Sequence, residues 1–458
     1  MSRIPLVRDK EFYRRFFSIW AVLVLHNVIT LGVNLADNVM IGAYSETAMA
    51  GVSAVNQIQF VFYQLLLGMG DAIVVLGSQY WGGKQPKAIK RFFPGALLLS
   101  GGISLLLFAA GCFFPEIMVR IFTDDEEILA AGVEYLRIMK WSYLFFALTS
   151  VFLSLLRAVE TVRIGFIVSL STLIVNVSLN YLLIEGHFGF PAWGVTGAAV
   201  ATLAARVVEL VIVMVYLLAF DRKLRWRPAD AVRANGTLVR DFVKLSGPFL
   251  LTSLMFGVAT ALQTAILGHM DDSAIAANSV ASTLYQTVKV AIVGAASAAA
   301  ILIGTAIGSG RMDRIKSYAK TLQLMFLGIG VCTSGILFAL RLPILSLYKL
   351  TPDTYKMASD FILVLCVTGF GTAYQMPTNV GIIRGGGDAE FVMKDDLISI
   401  WGIVIPLSFL AAFVFKWPPI VVISCLNADQ VFKCIPACIH VHRWTWMKKL
   451  TRKEAADT

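Results

Sequence analysis

Apolar and polar residues are not interleaved along this chain; they come in long blocks. Twelve apolar runs stand out, at about 16–37, 50–80, 92–114, 131–156, 163–185, 194–219, 242–268, 276–307, 318–340, 357–381, 395–415 and 418–440. Each approaches or exceeds the roughly 20 residues that carry a helix across the hydrocarbon core of a bilayer. Strands of a membrane barrel would instead alternate over about ten residues. Backbone in lipid must pair its own polar groups, so continuous runs of this kind predict an all-α integral membrane protein with twelve transmembrane helices. The first run follows a basic segment, as in a signal peptide, but it is longer than the 7–15 residues of such a segment's apolar core. It is expected to be the first helix.

Within the runs, polar residues recur at helical spacing and so share faces. His26, Thr30, Asn34 and Asp37 fall on one face of the first helix, and Asn56, Gln59 and Tyr63 on one face of the second. Ser169, Thr172, Asn176 and Asn180 line the fifth, and Thr202, Arg206 and Glu209 the sixth. In the second half, Gln263 lies with Thr260 and Thr264; Ser282, Tyr285, Gln286 and Lys289 form a stripe; Gln375 and Asn379 continue Thr368 and Thr372. Polar faces on so many spans are costly against lipid and predict a wet central cavity. The competing reading is hydrogen bonding between helices, worth about 0.6 kcal/mol on average.

Composition agrees with a membrane protein. Charged residues make up 15% and mean hydropathy is +0.74, against about 25% charged residues in soluble domains. The net charge of +10 is not spread as a nucleic-acid footprint would be. Lys and Arg gather at both ends and in every second loop, as in Lys84/Lys87/Lys90/Arg91 and Arg222/Lys223/Arg225/Arg227, while the opposite loops carry acid, as in 124-DDEE-127. This bias predicts cytoplasmic termini in the cell (inner) membrane.

The chain also repeats itself. Shifted by 226 residues, 42-GAYSETAMAGVS-53 lies on 268-GHMDDSAIAANS-279, Gly68 on Gly294 and Gly82 on Gly308. Six crossings per half give two halves of the same orientation, a transporter design. The expected boundary lies in 221-DRKLRWRPADAVRANG-236, giving an N-lobe of residues 1–230 with helices one to six and a C-lobe of 231–458 with helices seven to twelve.

Charges inside spans mark function more often than structure. Asp37 has no basic partner within a turn, and its neighbours carry amides and hydroxyls. With oxygens of Asn176, Asn180 and Thr202 it would form a small site for a hard cation or a proton. Its repeat partner is Gln263, so the site is expected in one half only. Arg206 and Glu209, spaced i, i+3, are expected to neutralise each other. The six Cys have no metal spacing, 384-RGGGDAE-390 is expected to be a tight turn, and no H-E-x-x-H, G-x-S-x-G or nucleotide-binding loop occurs. No enzyme activity and no cofactor are expected.

In this setting the chain resembles the MATE family (multidrug and toxic compound extrusion). The resemblance rests on 36-ADNVMIGAYSETAMAGVSAVNQI-58, 76-LGSQYWGGKQPKAIKR-91, 155-LLRAVETVR-163, 176-NVSLNYLLI-184, 189-GFPAWGVTGAAVATLAAR-206, 304-GTAIGSGRMDR-314 and 382-IIRGGGDAEF-391. It implies two pseudo-symmetric six-helix lobes around a V-shaped cavity. It further implies export of cationic, amphipathic compounds in exchange for H⁺ or Na⁺, by alternating access. Asp37 matches the acid of the first helix, Asn176 and Asn180 the pair on the fifth, and Thr202 the threonine of the sixth. The cavity candidates are Asn34, Asn56, Gln59, Tyr63, Gln263, Ser282, Tyr285, Gln286, Lys289, Gln375 and Asn379. Members often carry a second acid on helix seven or ten; neither has one here, so coupling in the second half is expected to be absent. No proline lies between Pro5 and Pro86 to bend the first helix. A monomer acting on a small molecule is expected. The alternative is a flippase of lipids or lipid-linked glycans from the same superfamily, with an intramembrane enzyme further behind.

Overall fold

The computed structural model describes residues 5–452 except His269, Asp271, Leu347 and Lys349. Among the described residues, twelve helices are long and apolar enough to cross a membrane: α1 Lys10–Tyr44, α2 Glu46–Gly82, α3 Pro86–Phe113, α4 Glu126–Ala158, α5 Arg163–Leu183, α6 Gly194–Phe220, α7 Gly236–Leu267, α8 Ala276–Gly308, α9 Met312–Leu345, α10 Pro352–Arg384, α11 Ala389–Val414 and α12 Pro419–Arg443. Each expected span coincides with one of them. Most run a turn or more further, because hydropathy registers the apolar stretch while backbone hydrogen bonding carries the helix on into polar residues. Asp37 is accordingly about two turns inside α1 rather than at its end.

Local chemistry sets the helix starts. Proline occupies the first turn of α3, α10 and α12, where its missing N–H costs nothing. Asp125 caps α4 by accepting from the Glu127 and Ile128 amides at 2.9 and 3.1 Å, and Thr351 caps α10 through the Thr354 amide. The last three helices are irregular. The backbone of α10 widens to π-helical turns over Pro377–Arg384, α11 does so over Leu397–Val404, and α12 is interrupted between Leu426 and Asp429 and again at Lys433.

The chain divides into two compact units. One comprises the chain to Val24, Ser78–Lys84 and Leu251–Arg452; the other comprises Leu25–Gly77 and Gln85–Leu250. In the second of these, Val55, Leu136, Met139, Ala147 and Ala199 are buried in the core. In the first, the core includes Ala277, Ala281, Phe361, Ile362 and Val422. The most buried spans are α2 and α8, which correspond to each other under the repeat. α8 reaches this position through small residues: Ala295, Ala296, Ala298 and Ala299 are all buried.

The repeat is visible as a reciprocal contact within the first unit. A methyl group placed on Gly82 would lie 2.1 Å from the Thr305 carbonyl oxygen, and one on Gly308 would lie 1.9 Å from the Gln79 carbonyl oxygen. The 226-residue shift that takes Gly82 to Gly308 also takes Gln79 to Thr305, so the same approach is made twice.

In the expected turn at 384–390, only Gly387 takes a positive φ, of 100°. Gly386 is required for a different reason: a Cβ there would meet the Trp446 ring at 2.2 Å. The tail is held by Gln79, which donates to the Lys448 carbonyl and accepts from the Leu450 amide. Asp388 caps α11 through the Phe391 amide and lies 2.9 Å from both His440 Nε2 and Lys448 Nζ. Burial pushes the Asp388 carboxyl up, but hydrogen bonds from Lys448 and His440 and the Lys448 charge outweigh this and hold it below its usual range. Its stabilising contribution is full above the unfolded value of about 4 and is lost as pH falls through the lower folded value. Asp388→Asn is therefore expected to lower the melting temperature at neutral pH. The gap from wild type should close in acid, as melting curves at both pH values would show.

Candidate cation and substrate site

The polar faces of α5 and α6 meet each other. Thr172 donates to Glu209 Oε1 at 2.6 Å, and Asn176 Nδ2 donates to Thr202 Oγ1 at 3.4 Å. These bonds stack one turn apart because Thr172 and Asn176 follow each other at i, i+4 on α5. One turn further, Asn180 Nδ2 donates to Asp37 Oδ1 of α1 and to Asn176 Oδ1, the latter at 3.3 Å. Asp37, Asn176, Asn180 and Thr202 thus form one connected group, with Asn176, Asn180 and Thr202 all buried.

The acceptor count at this group is incomplete. Asn180 Oδ1 is buried and has no hydrogen-bond partner. Asp37 forms no ion pair among the described residues; its partner is an amide. The Asp37 carboxylate, the Asn176 and Asn180 carbonyl oxygens and the Thr202 hydroxyl supply the oxygens that a hard monovalent cation takes, and Asp37 alone can take a proton.

Arg206 and Glu209 pair as their spacing indicates, with Nη1 at 2.8 and 3.0 Å from the two carboxylate oxygens. Arg206 also lies over the Phe146 ring, 4.3 Å from its centroid, and Tyr63 stacks on the same ring at 6.2 Å. His26 Nδ1 is 3.0 Å from the Gly165 carbonyl and contacts Ser169, so the first-helix stripe is anchored to α5 at two levels. Periodicity did not single out Tyr135 of α4. It is buried and its hydroxyl faces Thr202. A buried tyrosine inside an apolar run offered the only signal.

The second-half candidates form a separate group. Tyr285 donates to Thr372 at 2.9 Å, and Thr372 and Gln375 both donate to Gln430 Oε1, at 3.0 and 2.9 Å. Asn379 reaches Gln375 Oε1 at 3.4 Å. Ser282 donates to Asn278. Lys289 lies between the Phe256 and Tyr285 rings, 5.9 and 5.8 Å from their centroids. Asn34, Asn56, Gln59, Gln263 and Gln286 make no side-chain hydrogen bond among the described residues; Asn34 and Gln286 are exposed, the other three half-buried.

Comparison with known proteins agrees with this architecture. The MatE family model matches residues 23–182 and 248–410, two segments offset by about the repeat length. The probable multidrug resistance protein NorM of Thermotoga maritima is 24% identical over 434 residues, 94% of this chain and 93% of that protein. The multidrug resistance protein MdtK of Pectobacterium atrosepticum is 26% identical over 411 residues, 87% of each. The crystal structure of a mutant of the Vibrio cholerae MATE transporter VcmN superposes with a TM-score of 0.84 at 16% identity, covering 96% of this chain and 98% of that one; at that identity the likeness is one of fold.

Proposed function

The chain belongs to the MatE family, a family of transporters and not of enzymes, and from this premise we infer that it is a secondary active exporter. Its substrates are drugs of several kinds, in line with the multidrug-resistance names of its relatives, and in this reading they are cationic or amphipathic organic compounds. Its driving force is H⁺ or Na⁺ taken up at Asp37. Residues 1–230 and 231–458 serve as its two lobes, Asn34, Asn56, Gln59, Tyr63 and the second-half stripe as its cavity lining.

The observation that carries this reading is the Asp37 carboxylate, held by an amide and no cation, next to the idle Asn180 Oδ1. A carboxylate inside a span costs up to roughly 2.5–3.5 kcal/mol on insertion scales, the figure for a helix centre. A hydrogen bond to a charged group returns about 1.5–3 kcal/mol. The balance is close to neutral, which suits a group that gains and loses a cation in each cycle. A firm ion pair such as Arg206–Glu209 would fix the charge instead. Exchange at Asp37 would release the bound compound outward, and return of the loaded carrier would bring the cation in. One net charge moving down the membrane potential supplies about 2.3 kcal/mol per 100 mV.

The flippase alternative needs cationic groups free to bind phosphate. Arg206 is committed to Glu209, which weighs against it, while Lys289, against the Phe256 and Tyr285 rings and in no ion pair among the described residues, is the group left to serve it. The test is efflux of a fluorescent cationic dye from loaded proteoliposomes, with a pH gradient and a Na⁺ gradient imposed separately. Export under one gradient identifies the ion. No export under either removes the antiporter reading, and lipid-linked anions become the next substrates to try.

A further inference from the structure

We propose that the second half carries a cation site of its own, centred on Asp395 of α11, which binds H⁺ or Na⁺. The proposal rests on the reading of the chain as an ion-coupled exporter. It departs from the expectation that coupling is absent in this half: the acids are supplied by α11 and α12, not by α7 or α10.

Three carboxylates lie close together where α10 and α12 are irregular. Lys433 Nζ is 2.7 Å from Asp396 Oδ1 and 3.4 Å from Asp429 Oδ2, and Lys433 and Asp429 are both buried. These two carboxylates share one ammonium group. Asp395 is left with a single hydrogen-bond donor among the described residues, Asn379 Nδ2 at 3.1 Å, and with no cation in contact. Its sequence neighbour Lys394 is engaged by Glu390 at 2.7 Å. The titratable groups that act on Asp395 are Lys433, Asp396 and Asp429; Asp429 in turn acts on Tyr285 and Lys289 of α8. Even with Lys289 included, three carboxylates face two ammonium groups. One further cation cancels that surplus.

A second observation points to a ligand at this place. Asn379 is 2% exposed and its amide is directed at Asp395, yet its Oδ1 has no hydrogen-bond partner. Asn180 shows the same arrangement beside Asp37. In both places a buried amide donates to a carboxylate and leaves its oxygen idle; a half-turn of the amide would present that oxygen to a cation or carboxyl proton taken up there. The site is connected to the polar stripe of α8 by the chain Tyr285, Thr372, Gln430, Gln375 and Asn379. These hydrogen bonds join Asp395 to the face where a substrate would bind.

Infrared difference spectra of the full-length protein in lipid, stepped from about pH 8 to about pH 5 with and without NaCl, test this. Wild type is expected to show protonated-carboxyl bands of which Asp37→Asn removes one and Asp395→Asn another. Suppression of the Asp395-dependent band by NaCl assigns Na⁺ to the site; indifference to NaCl assigns H⁺ alone. Asp395→Glu should shift that band without removing it, which separates loss of the carboxyl from misfolding. A spectrum unchanged by Asp395→Asn, or a band that Asp395→Glu fails to shift, overturns the proposal. If the Asp395 band is present and no band depends on Asp37, the role of Asp37 fails and this site stands.

Discussion

Asp37→Asn is expected to abolish ion-driven export, down to the level of liposomes without protein, while insertion and folding remain intact. The substituted side chain has nearly the same shape and can still accept from Asn180 Nδ2, so the contact among α1, α5 and α6 survives. What it cannot do is change its charge. Removing a carboxylate that lies inside a span and forms no ion pair among the described residues also removes part of a cost that reaches roughly 2.5–3.5 kcal/mol at a helix centre on insertion scales, so the variant should melt no lower than wild type. The control is Gln263→Ala, at the corresponding position of the repeat. Gln263 is half-buried and makes no side-chain hydrogen bond among the described residues, so this variant should keep most of the activity. Dye efflux from matched proteoliposomes decides both. Full export by Asp37→Asn refutes the central claim, and equal losses from the two variants refute the asymmetry between the halves.

Gly308→Ala is expected to be the most damaging of the small substitutions. The added methyl would sit 1.9 Å from the Gln79 carbonyl oxygen. That oxygen belongs to helix backbone and cannot swing aside, so α2 and α8 must separate where they touch. Overpacking of this kind costs typically about 1–3 kcal/mol, occasionally more. Gly310→Ala makes a comparison of another type, since nothing lies within 4 Å of a Cβ there, while its φ of 74° disfavours any side chain. Melting in detergent should fall further for Gly308→Ala than for Gly310→Ala. The opposite order would mean that backbone conformation, and not helix contact, governs stability at this end of α8.

The twelve helices were legible because lipid leaves a spanning chain little choice, and continuous apolar runs follow directly. The faces bearing Asp37, Asn176, Asn180 and Thr202 were legible from helical spacing. Spacing orders residues on one helix; it does not say which helices oppose each other, and the family resemblance supplied that pairing. The acids of the second half were missed for a related reason. Asp395 and Asp396 begin an apolar run and read as its polar edge, and Asp429 and Lys433 fall in a helix whose breaks upset periodicity. The i, i+4 spacing of Asp429 and Lys433 inside an apolar run was the available signal. Tyr135 offered little, since tyrosines also fill membrane cores.

The paired approach of Gly82 to Thr305 and of Gly308 to Gln79 has one more consequence. A patch that contacts its own repeat image is isologous in the sense used for symmetric dimers. Selection on one half of such a contact cannot proceed alone: a larger side chain in either copy is felt by the other, and relief has to come from its counterpart. The ends of α2 and α8 are expected to change together among related sequences, whereas Asp37 and Gln263, which the repeat also equates, are under no such constraint.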